Sequence, residues 1–198
     1  MTISYPTGTL AGVVVPRSRI ATVALMVGFA LLTALAAQIR FPVPGTPVPI
    51  TGQTFAVLLA GAALGSMAGA GSMAIYWALG AIGLPFYTNA SGGWEVATGA
   101  TGGYLIGFIV AAWVVGALAE RGQDRKVWTA IPAFLAGNAV IYLIGVPWLM
   151  ASVEGITTMG EALTAGFTPF VIGDLIKIVI AGLLLPLAWK LVDSLKSS

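Results

Sequence analysis

Charged residues divide this chain into a few long apolar runs. Residues 20–39 form a stretch of 20 without a charge, the length a helix needs to cross a hydrocarbon core of about 30 Å. Residues 41–94 continue for 54 uncharged positions, 96–119 for 24 and 127–153 for 27. A last apolar stretch, near 169–190, is interrupted by charge at Asp174 and Lys177.

The 54-residue run needs dividing. Its opening, Phe41-Pro-Val-Pro-Gly-Thr-Pro-Val-Pro, cannot be regular helix, because each proline removes a donor and restricts the residue before it. The following 35 residues, 50–84, exceed one span and suffice for two short ones, with a break expected in the glycine-rich stretch 65–71. Residues 85–103, rich in Gly and Asn, read as a loop. Six helices result, near 19–39, 51–66, 70–84, 102–119, 129–149 and 169–190, in a single membrane domain covering 1–198.

Cation placement supports that count. With a cytoplasmic N-terminus, six spans put Arg17, Arg19, Arg121, Arg125, Lys126, Lys190 and Lys196 inside and only Arg40 outside, as the positive-inside rule requires. Treating 51–84 as one span would move the Arg121–Lys126 loop to the wrong side. The fold class expected is therefore all-α: a multi-pass protein of the cytoplasmic membrane, a bundle of six transmembrane helices with both termini cytoplasmic. A cleavable signal peptide ending near Ala34-Leu-Ala36 fits less well. Its apolar core would exceed the usual ~7–15 residues, and cleavage would leave five spans.

Composition removes other classes. Only 8% of residues are charged and 58% are hydrophobic, with mean hydropathy +0.97; soluble domains carry about 25% charged residues, and disordered chains are poor in apolar ones. A net charge of +2 with no clustered basic patch gives no footprint for nucleic acid. Cys and His are both absent, which eliminates disulfides, thiol nucleophiles, Cys/His metal sites and imidazole chemistry. No metal, no cofactor and no enzymatic activity are expected, and the interacting environment is membrane lipid.

Asp174 and Lys177 are the sharpest feature. A charge at bilayer depth costs at least about 2.5–3.5 kcal/mol, so such residues face the protein interior and are paired. Spacing of three places both on one helix face. With Thr168 as cap and Pro169 as first helical residue, both lie near the outer end of the last span. They read either as a pair that locks helix packing or as the polar floor of a small-ligand site.

A second cluster on the same side, Tyr87-Thr-Asn-Ala-Ser-Gly-Gly-Trp-Glu95, contains Asn89 and Trp94 and leads to Tyr104. It reads as a binding loop or as an interfacial turn whose Trp94 and Tyr104 join an aromatic belt. Arg40 and the polar step Thr51-Gly-Gln53-Thr54 lie on that side too. Gly61, Gly65 and Gly69, and Gly99, Gly103 and Gly107, repeat every four residues, the spacing that lets membrane helices approach closely. Ala30 and Ala34 share it, and with Ala37 give the first span a smooth face able to dock a partner helix. No Gly-Lys-Ser/Thr follows Gly99-x-x-x-Gly103, so the chain carries no ATP site of that type.

Four motifs in order, Val48-Pro-Ile-Thr-Gly-Gln-Thr54, Gly80-Ala-Ile-Gly-Leu-Pro-Phe86, Thr101-Gly-Gly-Tyr-Leu-Ile-Gly107 and Gly173-Asp-Leu-Ile-Lys177, resemble the BioY family. These are the biotin-binding membrane subunits, or S components, of energy-coupling-factor (ECF) vitamin transporters. The resemblance implies six helices, a vitamin cavity near the outer face, and work with a transmembrane coupling subunit and two ATPase subunits. It implies biotin as substrate, with Asp174, Lys177, Asn89, Tyr104, Gln53, Trp94 and Arg40 as binding residues and the loop from Arg40 to Thr54 as a lid. It also implies that Ala30 and Ala34 dock the coupling subunit. Two poses stay open. Asp174 and Lys177 read the ureido ring, or Lys177 pairs with the valerate carboxylate while Asn89 reads the ureido group. Other readings are an S component for a different vitamin, a membrane protein without ligand, and an intramembrane hydrolase or prenyl-lipid transferase. The enzyme would need a nucleophile/base pair or an acid-rich metal site.

Overall fold

The computed structural model describes residues 6, 8–16 and 18–196; Arg17, assigned above to the cytoplasmic side, lies outside the described residues. The helices among them are α1 (Leu10–Val14), α2 (Arg19–Gln38), α3 (Gln53–Leu64), α4 (Ser66–Ala81), α5 (Trp94–Thr98), α6 (Gly102–Ala119), α7 (Val127–Ser152), α8 (Met159–Gly166) and α9 (Val171–Lys196). Four stretches, Arg19–Gln38, Gly102–Ala119, Val127–Ser152 and Met159–Leu195, are long and apolar enough to cross a membrane. The chain is thus mostly helical and multi-pass. α3 is apolar but has only 12 residues, against the ~20 a full crossing needs.

Local chemistry explains most boundaries. Ser18 caps α2 by accepting from the Ala21 N–H at 3.0 Å. α3 and α4 meet at Gly65, whose φ of 85° is a backbone setting side chains resist. The first N–H groups of α4 need a partner, and Glu120 supplies it: its Oε1 accepts from the Ser66 N–H at 2.6 Å and the Ser66 hydroxyl at 2.8 Å. The break therefore comes at one residue, Gly65, and α4 ends at Ala81.

The chain departs from the expected layout at three places. The loop 85–103 contains α5 and a 3₁₀ turn, Thr88–Ala90. α8 was not anticipated, although Thr158 and Glu161 form a reciprocal capping box at its start. Before α9 comes a 3₁₀ turn, Thr168–Phe170, so Thr168 does not cap a helix beginning at Pro169; its hydroxyl donates to the Leu163 carbonyl at 3.2 Å.

The alanine face of α2 is internal, not the free docking face expected from its spacing. Ala30, Ala34 and Ala37 are 0, 8 and 0% exposed. That side packs on α4, where the Ser72 hydroxyl donates to the Met26 carbonyl at 2.7 Å. Small residues there let two helices of the same chain approach, so Ala30 and Ala34 are not free to dock a partner. Leu31, Leu32 and Leu35 form the exposed side.

Between α2 and α3 a two-residue ribbon pairs Arg40 with Thr51 and Phe41 with Ile50, closing the proline-rich loop 42–49. At the opposite end of the bundle the α6–α7 connection is pinned to α9. Asp124, 2% exposed, accepts from the Trp189 indole N–H at 2.7 Å, and the Arg125 guanidinium lies 4.3 Å over the Trp189 ring. Burial pushes the Asp124 carboxyl above its ordinary range, outweighing the opposing pull of the Trp189 bond and Arg125. An acid with a raised folded-state pKa holds its proton after the unfolded chain has released its own. Stability then falls as pH climbs from about 4 through the raised value. Thermal melts in detergent at stepped pH should show this decline, flattened in Asp124→Asn, whose amide oxygen still accepts from Trp189.

Candidate functional site

The site lies where α3, α6 and α9 begin and the ribbon folds over them. Asp174 falls in the first turn of α9, where the helix dipole favours an anion, and is 3% exposed. Its Oδ1 accepts from Lys177 Nζ at 2.9 Å and the Thr54 hydroxyl at 3.2 Å. Its Oδ2 accepts from Asn138 Nδ2 at 3.1 Å and from the Tyr142 hydroxyl. These four donors fill the roughly four acceptor positions of a carboxylate. Lys177 also donates to Thr54 Oγ1 at 3.0 Å, which leaves one ammonium N–H of three. The pair is electrically neutral and held from three helices.

Above this floor opens a cleft. Tyr104, Phe108 and Phe170 form aromatic walls, and 48–51 of the ribbon loop form the roof. The Tyr104 hydroxyl is committed to the Gly166 carbonyl at 2.8 Å, so it offers its ring. That ring fits only because Gly145 has no side chain: a Cβ there would sit 2.4 Å from it. Gln53, 6% exposed, accepts from Thr51 at 2.8 Å and donates to the Tyr76 hydroxyl at 2.6 Å. Tyr87, in the loop after α4, also lines the cleft; burial pushes its phenol up to about 12.

Four of the expected residues, Asp174, Lys177, Gln53 and Tyr104, share this cleft. Arg40 and Asn89 do not. They line a neighbouring groove, which adjoins the cleft at Pro49 and Thr88. Trp94 belongs to neither: it is 64% exposed and stacks edge-on against Trp77 at 6.0 Å.

Thr54, Asn138, Tyr142 and Gln38 are additional. Asn138 and Tyr142 stand four apart on one face of α7, and Asn138 is the only amide in the uncharged run 127–153, a polar signal inside an apolar span. Gln38 ties the end of α2 to the second loop: Nε2 donates to the Tyr87 carbonyl at 3.0 Å and Oε1 accepts from the Ala90 N–H at 2.9 Å. It thereby holds Asn89 and Ala90 at φ of 64° and 51°, settings a non-glycine residue keeps only under restraint.

Residues 9–194 match the family model described as BioY family. The chain belongs to the BioY family. Its relatives include the biotin transporter BioY of Thermotoga maritima, 42% identical over 156 residues, covering 79% of this chain and 88% of that protein. The biotin transporter BioY of Rhodobacter capsulatus is 40% identical over 162 residues (78% and 85%), and the probable biotin transporter BioY of Pyrococcus horikoshii 39% over 155 (78% and 88%). The crystal structure of the S component for biotin from an ECF-type ABC transporter shares the fold seen here, with a TM-score of 0.78 at 23% identity over 87% of this chain and 92% of that one.

Proposed function

We propose that this BioY-family chain is the biotin-binding S component of an ECF transporter in the cytoplasmic membrane, and that it mediates biotin uptake without catalysing a reaction itself. Six membrane helices, α2, α3, α4, α6, α7 and α9, of which α3 and α4 are two short ones joined at Gly65, carry it with both termini cytoplasmic and the cleft toward the outside. A transmembrane coupling subunit and ATPase subunits supply the energy.

The observation that carries the reading is the neutral Lys177–Asp174 pair at the base of an aromatic-walled cleft. A neutral, polar ureido ring suits such a floor. A carboxylate there would face the Asp174 charge. The valerate carboxylate instead fits the adjoining groove, where Arg40 is a cation that forms no ion pair among the described residues. This favours the pose with the ureido ring inward, and it gives Asn89 a place beside the acid rather than beside the ring.

Purified protein in detergent should bind labelled biotin saturably below micromolar concentration, displaced by unlabelled biotin and not by thiamin or riboflavin. No saturable binding at micromolar biotin would overturn the reading, and stronger displacement by another vitamin would convert it to an S component of different specificity.

A further inference from the structure

We propose that Tyr142 is a ligand-binding, specificity-determining residue: its hydroxyl oxygen accepts a ring N–H of the bound urea while Asp174 holds the tyrosine proton from behind. The inference rests on the biotin reading and specifies how the urea's hydrogen-bond donors are recognised.

The argument starts from the filled carboxylate. Asp174 receives Lys177, Thr54, Asn138 and Tyr142, so no acceptor position stays open to a ligand N–H. The groups that surround the carboxylate, and so stand nearest to a ligand on this floor, are those four partners. Lys177 is an ammonium, with donors only. Asn138 is 8% exposed and does not line the cleft. Thr54 gives its proton to Asp174 and already accepts from Lys177, so one of its two lone pairs is taken.

Tyr142 is the partner whose oxygen is wholly open. It lines the cleft. Its hydroxyl donates to Asp174, and no donor among the described residues is bonded to its oxygen. A hydroxyl that donates to a carboxylate becomes a stronger acceptor, because hydrogen bonds in a chain polarise one another. The ring is held edge-on by Tyr104 at 6.2 Å and Phe167 at 4.9 Å, so the oxygen has a fixed address. With the free N–H of Lys177, the floor presents a donor and an acceptor side by side. The carbonyl and adjacent N–H of a cyclic urea are the complement.

Ligand analogues test this without depending on how much variant folds. Carbamate analogues of biotin, with one or the other ring N–H replaced by oxygen, keep the shape and remove a single donor. Sites that hydrogen-bond a donor reject an analogue lacking it by large factors. One of the two carbamates should therefore bind the unsubstituted protein at least about 100-fold more weakly than biotin. In Tyr142→Phe, which keeps the ring contacts, that ratio should shrink to within a few-fold while biotin itself binds more weakly. An unchanged ratio in Tyr142→Phe would overturn the assignment. So would an unsubstituted protein that binds both carbamates as well as biotin, whether or not the variant folds. A protein that binds no biotin at all would overturn the proposed function and this inference with it; normal biotin binding with either failed ratio overturns this inference alone.

Discussion

Lys177→Ala should lower biotin affinity by more than a hundredfold while the protein still inserts and purifies. The substitution leaves Asp174, whose side chain is 4% exposed, hydrogen-bonded by Thr54, Asn138 and Tyr142 but without a counter-charge. Truncating one partner of a buried ion pair typically costs about 3–5 kcal/mol. Each ~1.4 kcal/mol that falls on the bound state is tenfold in affinity. Lys177→Met keeps most of the stem and should lose affinity as severely, because the donor is what matters. Removing both charges, as Asp174→Asn with Lys177→Met, should recover thermal stability but not binding, since a neutral pair no longer strands a buried ion. Filter binding with labelled biotin and a melt of each variant separate the two effects. Affinity within tenfold of the unsubstituted protein in Lys177→Met would remove the amine from the site.

Gly116→Val should have the largest effect on folding. A Cβ on Gly116 would lie 2.3 Å from the Gly65 carbonyl carbon and 2.4 Å from the Ser66 nitrogen. Both are backbone atoms, and the joint they form is fixed by the positive φ of Gly65 and by Glu120 bonding to Ser66. Neither can step aside as a side-chain tip could. Overpacking of this sort costs about 1–3 kcal/mol or more, and here it would part α6 from the start of α4. A clear drop in melting temperature and in monodisperse yield is expected. Gly28→Val is the control, because nothing lies within 4 Å of a Cβ there. Equal behaviour of the two variants would show that α6 does not depend on this close approach.

Part of the fold was legible because the constraints are local. α6 occupies 102–119, the limits read from the uncharged run before Glu120 and the glycines at its start. The long apolar run does break at glycine, although Gly65 alone makes the turn. α8 was legible in principle through Thr158 and Glu161, but at eight residues it is too short to leave an apolar run of spanning length. The 3₁₀ turn ahead of α9 was not legible, since Pro169 is equally at home in the first turn of either helix type.

For the site, Asp174 and Lys177 announced themselves as charges in an oily run, and Gln53 and Tyr104 as polar or aromatic groups at helix starts. The four converge on one cleft. Asn89 and Arg40 share the adjoining groove, and Trp94 turns outward. Loop residues such as these are placed by hydrogen bonds from distant segments, and Gln38, 52 positions from Ala90, makes one of them.

The sequence by itself determined that this chain is a bundle of membrane helices and that an acid and an amine share one helical face near an end of it. Length, charge spacing and the energetic demand to pair a buried ion suffice for that. Only the tertiary structure decided that Thr54, Asn138 and Tyr142 complete the carboxylate's bonding, and that Ala30 and Ala34 face inward. In a soluble helix the apolar stripe shows which side is buried. In a membrane, lipid and protein interior are about equally apolar, so helices such as α2 and α7 carry little record of which face turns inward until their neighbours are in place.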